Sequence, residues 1–201
     1  MNNQTQWYVK PVVFVLCLLP FAYLLFGVLT SADFLGANPV EYLAHRTGDW
    51  GLRFMLIVLM VSPLRRLTGW SGLLKFRRLL GLFAFFYVTL HLVVYVGLDL
   101  GFNWPDLGED ILERPYITVG FTAWLLLIPL ALTSTRKMMR VLGRRWKKLH
   151  QLVYLIAFAG VVHYVWLVKK DLSEPLIYVG IFVVLMLLRL PARLTKQPQV
   201  N

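Results

Sequence analysis

Apolar runs close to the width of a lipid bilayer, joined by short polar segments, leave this chain few ways to fold. A helix crosses the hydrocarbon with about 20 mostly apolar residues, advancing about 1.5 Å per residue and satisfying its own backbone N–H and C=O groups. Six runs are candidates: residues 11–29, 51–64, 79–98, 116–135, 149–168 and 175–190. The second and sixth are short, and they reach full length if Arg53 and Arg189 extend their charges to the interface along apolar stems. The first is too long for a signal-peptide core and has only Lys10 ahead of it, so it reads as a retained helix. The expectation is a single all-α integral membrane domain over residues 1–201, a six-helix transmembrane bundle. Composition agrees, with 58% apolar and 15% charged residues, against about 45–50% and 25% for soluble domains.

Charge orients the bundle. The segments Arg65 to Arg78 and Arg136 to Lys148 are strongly basic, as is the tail with Arg193 and Lys196, and such segments face the cytoplasm. All ten acidic residues fall on the opposite side: Asp33, Glu41, Asp49, Asp99, Asp106, Glu109, Asp110, Glu113, Asp171 and Glu174. Both termini are therefore expected in the cytoplasm, in a multi-pass protein of the bacterial inner membrane. The acidic Asp99 to Glu113 loop lies outside, where it could meet a partner protein. The net charge of +11 sits in short loops between apolar runs, which fits anionic lipid head groups and not nucleic acid. Cys17, the only cysteine, lies within an apolar run, so no disulfide framework and no C-x-x-C-H haem attachment site exist.

Ionisable residues inside a span are costly and mark function. Three of the four histidines qualify: His91 in the third run, and His150 and His163 in the fifth. His45 falls in an outer loop or short interfacial helix, where a solvated histidine needs no special role. No carboxylate is expected at the depth of His91 and His163. A proton path would want one beside them, and a zinc site would want clustered ligands. Neutral imidazoles in an apolar interior suit axial coordination of haem iron. The third and fifth runs are parallel, and each histidine lies about thirteen residues, or about 20 Å, from the basic end of its helix. His91 and His163 should be level. Ala84, Ala159 and Gly160 are small residues nearby that would admit a flat ring.

Five segments together carry a family resemblance: RRLLGLFAFFYVTLH ending at His91, RPYITVG from Arg114 to Gly120, LALTST around Ser134, GRRWKKLHQLVYL containing His150, and HYVW from His163. In them the chain resembles the MsrQ/YedZ family, the haem-binding membrane subunit of the periplasmic methionine sulfoxide reductase system. That family in turn resembles ferric reductases and NADPH oxidases, in which histidine pairs on two helices stack two haems. Here the inner position on the third helix holds Arg77 and Arg78 instead of histidine. The resemblance implies haem b between His91 and His163, with His150 a possible further ligand. It also implies an electron donor in the quinone pool or a cytosolic flavin reductase, FMN as a possible cofactor, and a periplasmic molybdenum-containing catalytic subunit as acceptor. Arg77, Arg78 and Arg145 are candidates for haem propionate or flavin phosphate contacts, since guanidinium suits oxyanions. No G-x-G-x-x-G and no room for a βαβ unit after Leu190 is found, so electrons are expected from another protein. The competing readings are a self-sufficient ferric or oxygen reductase and a haem-free transporter or scaffold.

Overall fold

The computed structural model describes residues 3–30, 35–169 and 171–190, and the regular structure among them is helical. Asp33, Arg193 and Lys196 lie outside the described residues. The helices are α1 (Asn3–Thr30), α2 (Pro39–Thr68), α3 (Arg77–Val94), α4 (Trp104–Glu113), α5 (Pro115–Leu132), α6 (Arg136–Leu142), α7 (Arg144–Leu149), α8 (Leu152–Leu167) and α9 (Ser173–Leu187). Among the described residues, five stretches are long and apolar enough to cross a membrane: Tyr8–Thr30, Pro39–Thr68, Arg77–Asp99, Pro115–Leu132 and Arg144–Leu167. Helix α9 is apolar but has 15 residues, about 22 Å of helix.

Helix α2 departs most from the sequence expectation. It has 30 residues where residues 51–64 were expected. Asn38 starts it by accepting a hydrogen bond from the Glu41 N–H, and Pro39 occupies the first turn, where no N–H is needed. Gly69 ends it at φ 70°, a left-handed cap that favours glycine, with its N–H bonded to the Arg65 carbonyl. Between these caps the helix carries Arg46, Asp49 and Arg53 by pairing them, with Asp49 3.8 Å from Arg46 and 3.6 Å from Arg53. Arg53 Nε also donates to the Tyr178 hydroxyl at 2.8 Å, and its guanidinium lies over the Trp50 ring. Arg53 thus has partners within the fold while about one-third of its side chain stays exposed. Arg189 turns back to donate to the Leu185 carbonyl at 2.6 Å and to the Leu59 carbonyl, and sits over the Tyr154 ring. His45, expected in a loop or a short interfacial helix, belongs to α2. The acidic Asp99 to Glu113 segment folds in part as α4.

Two hairpins organise the core. Helices α2 and α3 form one, and α5 and α8 the other, with α6 and α7 in the connection. Packing within each hairpin is more extensive than packing between them. Gly51 makes the first crossing close: a Cβ there would stand 2.8 Å from Val88 Cγ2 and 3.3 Å from the Val88 backbone nitrogen. Leu59, Tyr87, Ile156 and Ala157 are fully enclosed in the common core. Helix α3 ends in a π turn over Tyr95–Asp99, a form often found beside functional sites.

Helix α1 packs on α3 through Phe14 against Phe83, Phe21 against Phe86, and the Tyr87 hydroxyl. Its interior Pro20 has no N–H and displaces the carbonyl one turn earlier. Beside that break, the buried Tyr87 hydroxyl accepts from the Phe21 N–H at 3.0 Å and donates to the Cys17 carbonyl at 2.8 Å. These two groups would otherwise bond each other, so the hydroxyl is inserted into the ladder of α1. Tyr87→Phe should cost about 1–2 kcal/mol, read as a lower unfolding temperature in detergent. An unchanged value would mean that α1 closes its own ladder without strain.

Candidate haem site

His91 on α3 and His163 on α8 face each other across the hairpin boundary, with ring centroids 6.1 Å apart and ring planes at 77°. The parallel course of the two helices brings them level. Each ring is fixed by a backbone carbonyl: Nδ1 of His91 lies 2.8 Å from the Ala44 oxygen, and Nδ1 of His163 lies 2.7 Å from the Tyr116 oxygen. A carbonyl can only accept, so Nδ1 carries the proton in both rings, and in the neutral imidazole Nε2 is left as a bare lone pair. A histidine that binds a metal usually has its other nitrogen oriented in this way.

Both rings line one cavity of about 410 Å³, within the range of about 300–1,000 Å³ for small-molecule and cofactor sites. Leu52, Met55 and Leu127 line its apolar depth, while Asn38, Glu41, His45 and Arg114 lie toward the acidic end of the bundle. Asp110 beside Arg114, with Oδ1 3.0 Å from Nε, holds that guanidinium above its ordinary pKa. Two imidazoles sharing one metal at bonds of about 2 Å have centroids about 6 Å apart, which is the separation observed. Among the described residues no group of three or more His, Cys, Asp or Glu side chains could hold a metal ion. The donor set thus fits a metal that arrives in its own macrocycle and needs two axial nitrogens.

His150 is not part of this cavity. It caps α7 about 20 Å of helix away from His163, stacked on Trp146 with centroids 4.0 Å apart. Its Nε2 lies 3.1 Å from Thr133 Oγ1, and that hydroxyl donates its one proton to the Pro129 carbonyl at 2.6 Å. Nε2 of His150 is therefore the donor to Thr133. An inner metal would have to bind through Nδ1 or displace Thr133. Arg77 and Arg78 open α3 and Arg145 lies in α7, all toward the basic end, and none of them lines the cavity of His91 and His163.

Three features of the site escape the sequence reading. Gly48 and Gly120 abut the two histidine rings, whereas of Ala84, Ala159 and Gly160, the small residues expected there, Gly160 lines the cavity and the two alanines do not. Asp49, next to Gly48, lines the same cavity, so a carboxylate does share the depth of the histidines. The signal for the glycines was their place in long helices, where glycine costs about 1 kcal/mol relative to alanine and calls for a packing reason.

Residues 47–161 match the family model described as "Ferric reductase like transmembrane component". A Xanthomonas oryzae pv. oryzae (strain MAFF 311018) protein named "Protein-methionine-sulfoxide reductase heme-binding subunit MsrQ" is 55% identical over 157 residues, 78% of this chain and 72% of its own length. The chain belongs to the MsrQ family. An MsrQ of the same printed name from Rhodospirillum rubrum is 53% identical over 179 residues, covering 89% of this chain and 85% of that protein. Another from Xanthomonas campestris pv. campestris (strain 8004) is 54% identical over 165 residues, covering 82% and 76%. No solved structure matches. In this MsrQ-family chain the matched segment contains Gly48, His91, Gly120 and His150 and ends two residues before His163.

Proposed function

We propose that this chain is the haem-binding membrane subunit of a methionine sulfoxide reductase system, carrying electrons across the bacterial inner membrane to a periplasmic catalytic subunit. The observation that carries the reading is the pair of level imidazoles, each turned by a carbonyl so that Nε2 is a lone pair in one cavity. Haem b held by His91 and His163 would supply a one-electron carrier at that depth. The surrounding apolar side chains exclude water, and the carbonyls of Ala44 and Tyr116 hold the proton on each Nδ1. The relatives' names supply the partner system.

In this reading α9 is the sixth span, the basic segments and both termini face the cytoplasm, and lipid head groups neutralise the basic end. Electrons enter there from the quinone pool or a cytosolic flavin reductase. His150 and the cations Arg77, Arg78 and Arg145 stand at that entrance, as a possible inner ligand and as contacts for propionate or an FMN phosphate. The acidic end, with α4, faces the periplasm and the molybdenum-containing partner that reduces methionine sulfoxide in oxidised proteins. The match to the ferric reductase-like family favours one second reading, a reductase that acts on ferric iron or oxygen without a partner.

The test is an optical spectrum and pyridine haemochrome of the purified protein, with haem counted per chain, on wild type and His150→Ala. A b-type haemochrome is expected in both. No Soret band in protein expressed with ample haem would overturn the reading. Loss of part of the haem in His150→Ala would instead assign an inner haem to that residue. Turnover of ferric chelates with no partner present would favour the second reading.

A further inference from the structure

The two halves of the site are built by one device used twice. The carbonyl that orients each histidine lies 47 residues before it in both cases, Ala44 for His91 and Tyr116 for His163. Four residues after each carbonyl stands a glycine, Gly48 or Gly120. One helical turn separates them, so the glycine lies directly beside the carbonyl on the same helix face. A Cβ on Gly48 would meet His91 Cε1 and Nδ1 at 3.2 Å. One on Gly120 would meet His163 Nδ1 at 2.7 Å and Cε1 at 2.9 Å, closer than Cβ atoms approach other groups. Any side chain there would occupy the place of the ring that the carbonyl holds.

We propose that Gly48 and Gly120 are the positioning residues of the haem site. Each removes the Cβ that would push its imidazole off the α2 or α5 carbonyl, and together they set the two rings nearly perpendicular with both lone pairs facing the cavity. The inference rests on the reading of His91 and His163 as haem ligands. The placement is specific to the ligands, because the three atoms nearest each added Cβ all belong to the imidazole. Gly51, by contrast, faces the backbone and side chain of Val88. The hydrogen bond from Nδ1–H makes each imidazole a stronger donor, so losing it should favour the reduced metal and raise the midpoint potential.

The experiment uses the full-length protein in detergent, and compares wild type with Gly120→Ala, Gly48→Ala and Gly81→Ala. Gly81 lies on α3 with nothing within 4 Å of its added Cβ, and serves as the control. The readouts are the low-temperature EPR spectrum of the ferric protein, the midpoint potential and haem affinity by titration. Perpendicular axial imidazoles give wild type a strongly anisotropic low-spin signal. Gly120→Ala should shift that signal, raise the potential and weaken haem binding about 10-fold or more. Gly48→Ala should move them in the same direction by less, and Gly81→Ala should move none. Wild-type spectra and affinity in a folded Gly120→Ala, or equal effects from Gly81→Ala, would overturn the proposal. Should Gly120→Ala fail to accumulate, Gly48→Ala decides, since its contact can be relieved by a few tenths of an ångström, and an unshifted spectrum there overturns it as well. Haem that persists when both His91 and His163 are replaced would overturn the ligand reading, and this inference with it.

Discussion

His163→Ala should abolish the low-spin haem spectrum, and His91→Ala should do the same. Each ring supplies one Nε2 lone pair to a cavity whose other imidazole, among the described residues, is that of His45, and which no thiolate lines. His150 is bound to Thr133 toward the other end of α8, and Cys17 is on α1. His45 lies at the mouth of the cavity, within 3.9 Å of Glu41 and partly exposed. With one axial nitrogen removed, iron retained by the other would become five-coordinate and high-spin, and affinity should fall by well over the factor of about 10–100 typical of losing a supporting contact. A bulky replacement such as His163→Leu should remove haem altogether by filling the space. Full low-spin haem in both alanine variants would eliminate the pair as ligands.

The second large effect is expected at Asp49. Its carboxylate is 11% exposed and faces Arg46 and Arg53 within a span. Asp49→Ala leaves Arg53 with the Tyr178 hydroxyl, the Trp50 ring and only the Glu174 carboxylate, which acts on it more weakly than Asp49. Breaking a buried pair costs about 3–5 kcal/mol, and the lower end applies because Arg53 is about one-third exposed and partly screened. Thermal unfolding in detergent should read a loss of about 3 kcal/mol. Asp49→Leu combined with Arg53→Met should recover much of it, since removing both charges leaves none unpaired. If the double variant were no better than Asp49→Ala, the loss would lie in packing and not in charge.

These two sites differ in how plainly the sequence announced them. His91 and His163 stood out because an imidazole within an apolar run is rare, and counting residues from the basic ends predicted their common depth. Asp49 and Arg53 had the opposite effect. Arg53 fell inside the expected run, but Asp49 and Arg46 before it lowered the local hydropathy and made α2 look 14 residues long, because a linear reading cannot detect that neighbours about one helical turn apart neutralise each other. Gly48 and Gly120 could be read only as costly helix glycines, without the reason for the cost. Their partners lie on other helices, and only the folded hairpins bring glycine and ring together. The bundle itself was legible from apolar runs alone, whereas the turn of Arg189 back to the Leu59 carbonyl depended on tertiary proximity.

The two hairpins pack more closely within themselves than against each other, and the cavity of His91 and His163 lies at the boundary between them. A ligand held by one ring from each hairpin would tie the halves together and stabilise the native state by mass action. A chain made when the cell is short of that ligand would keep its halves loosely joined and be open to membrane proteases. The lifetime of the subunit would then follow the supply of its cofactor, so that empty chains are cleared before they occupy docking sites meant for loaded ones.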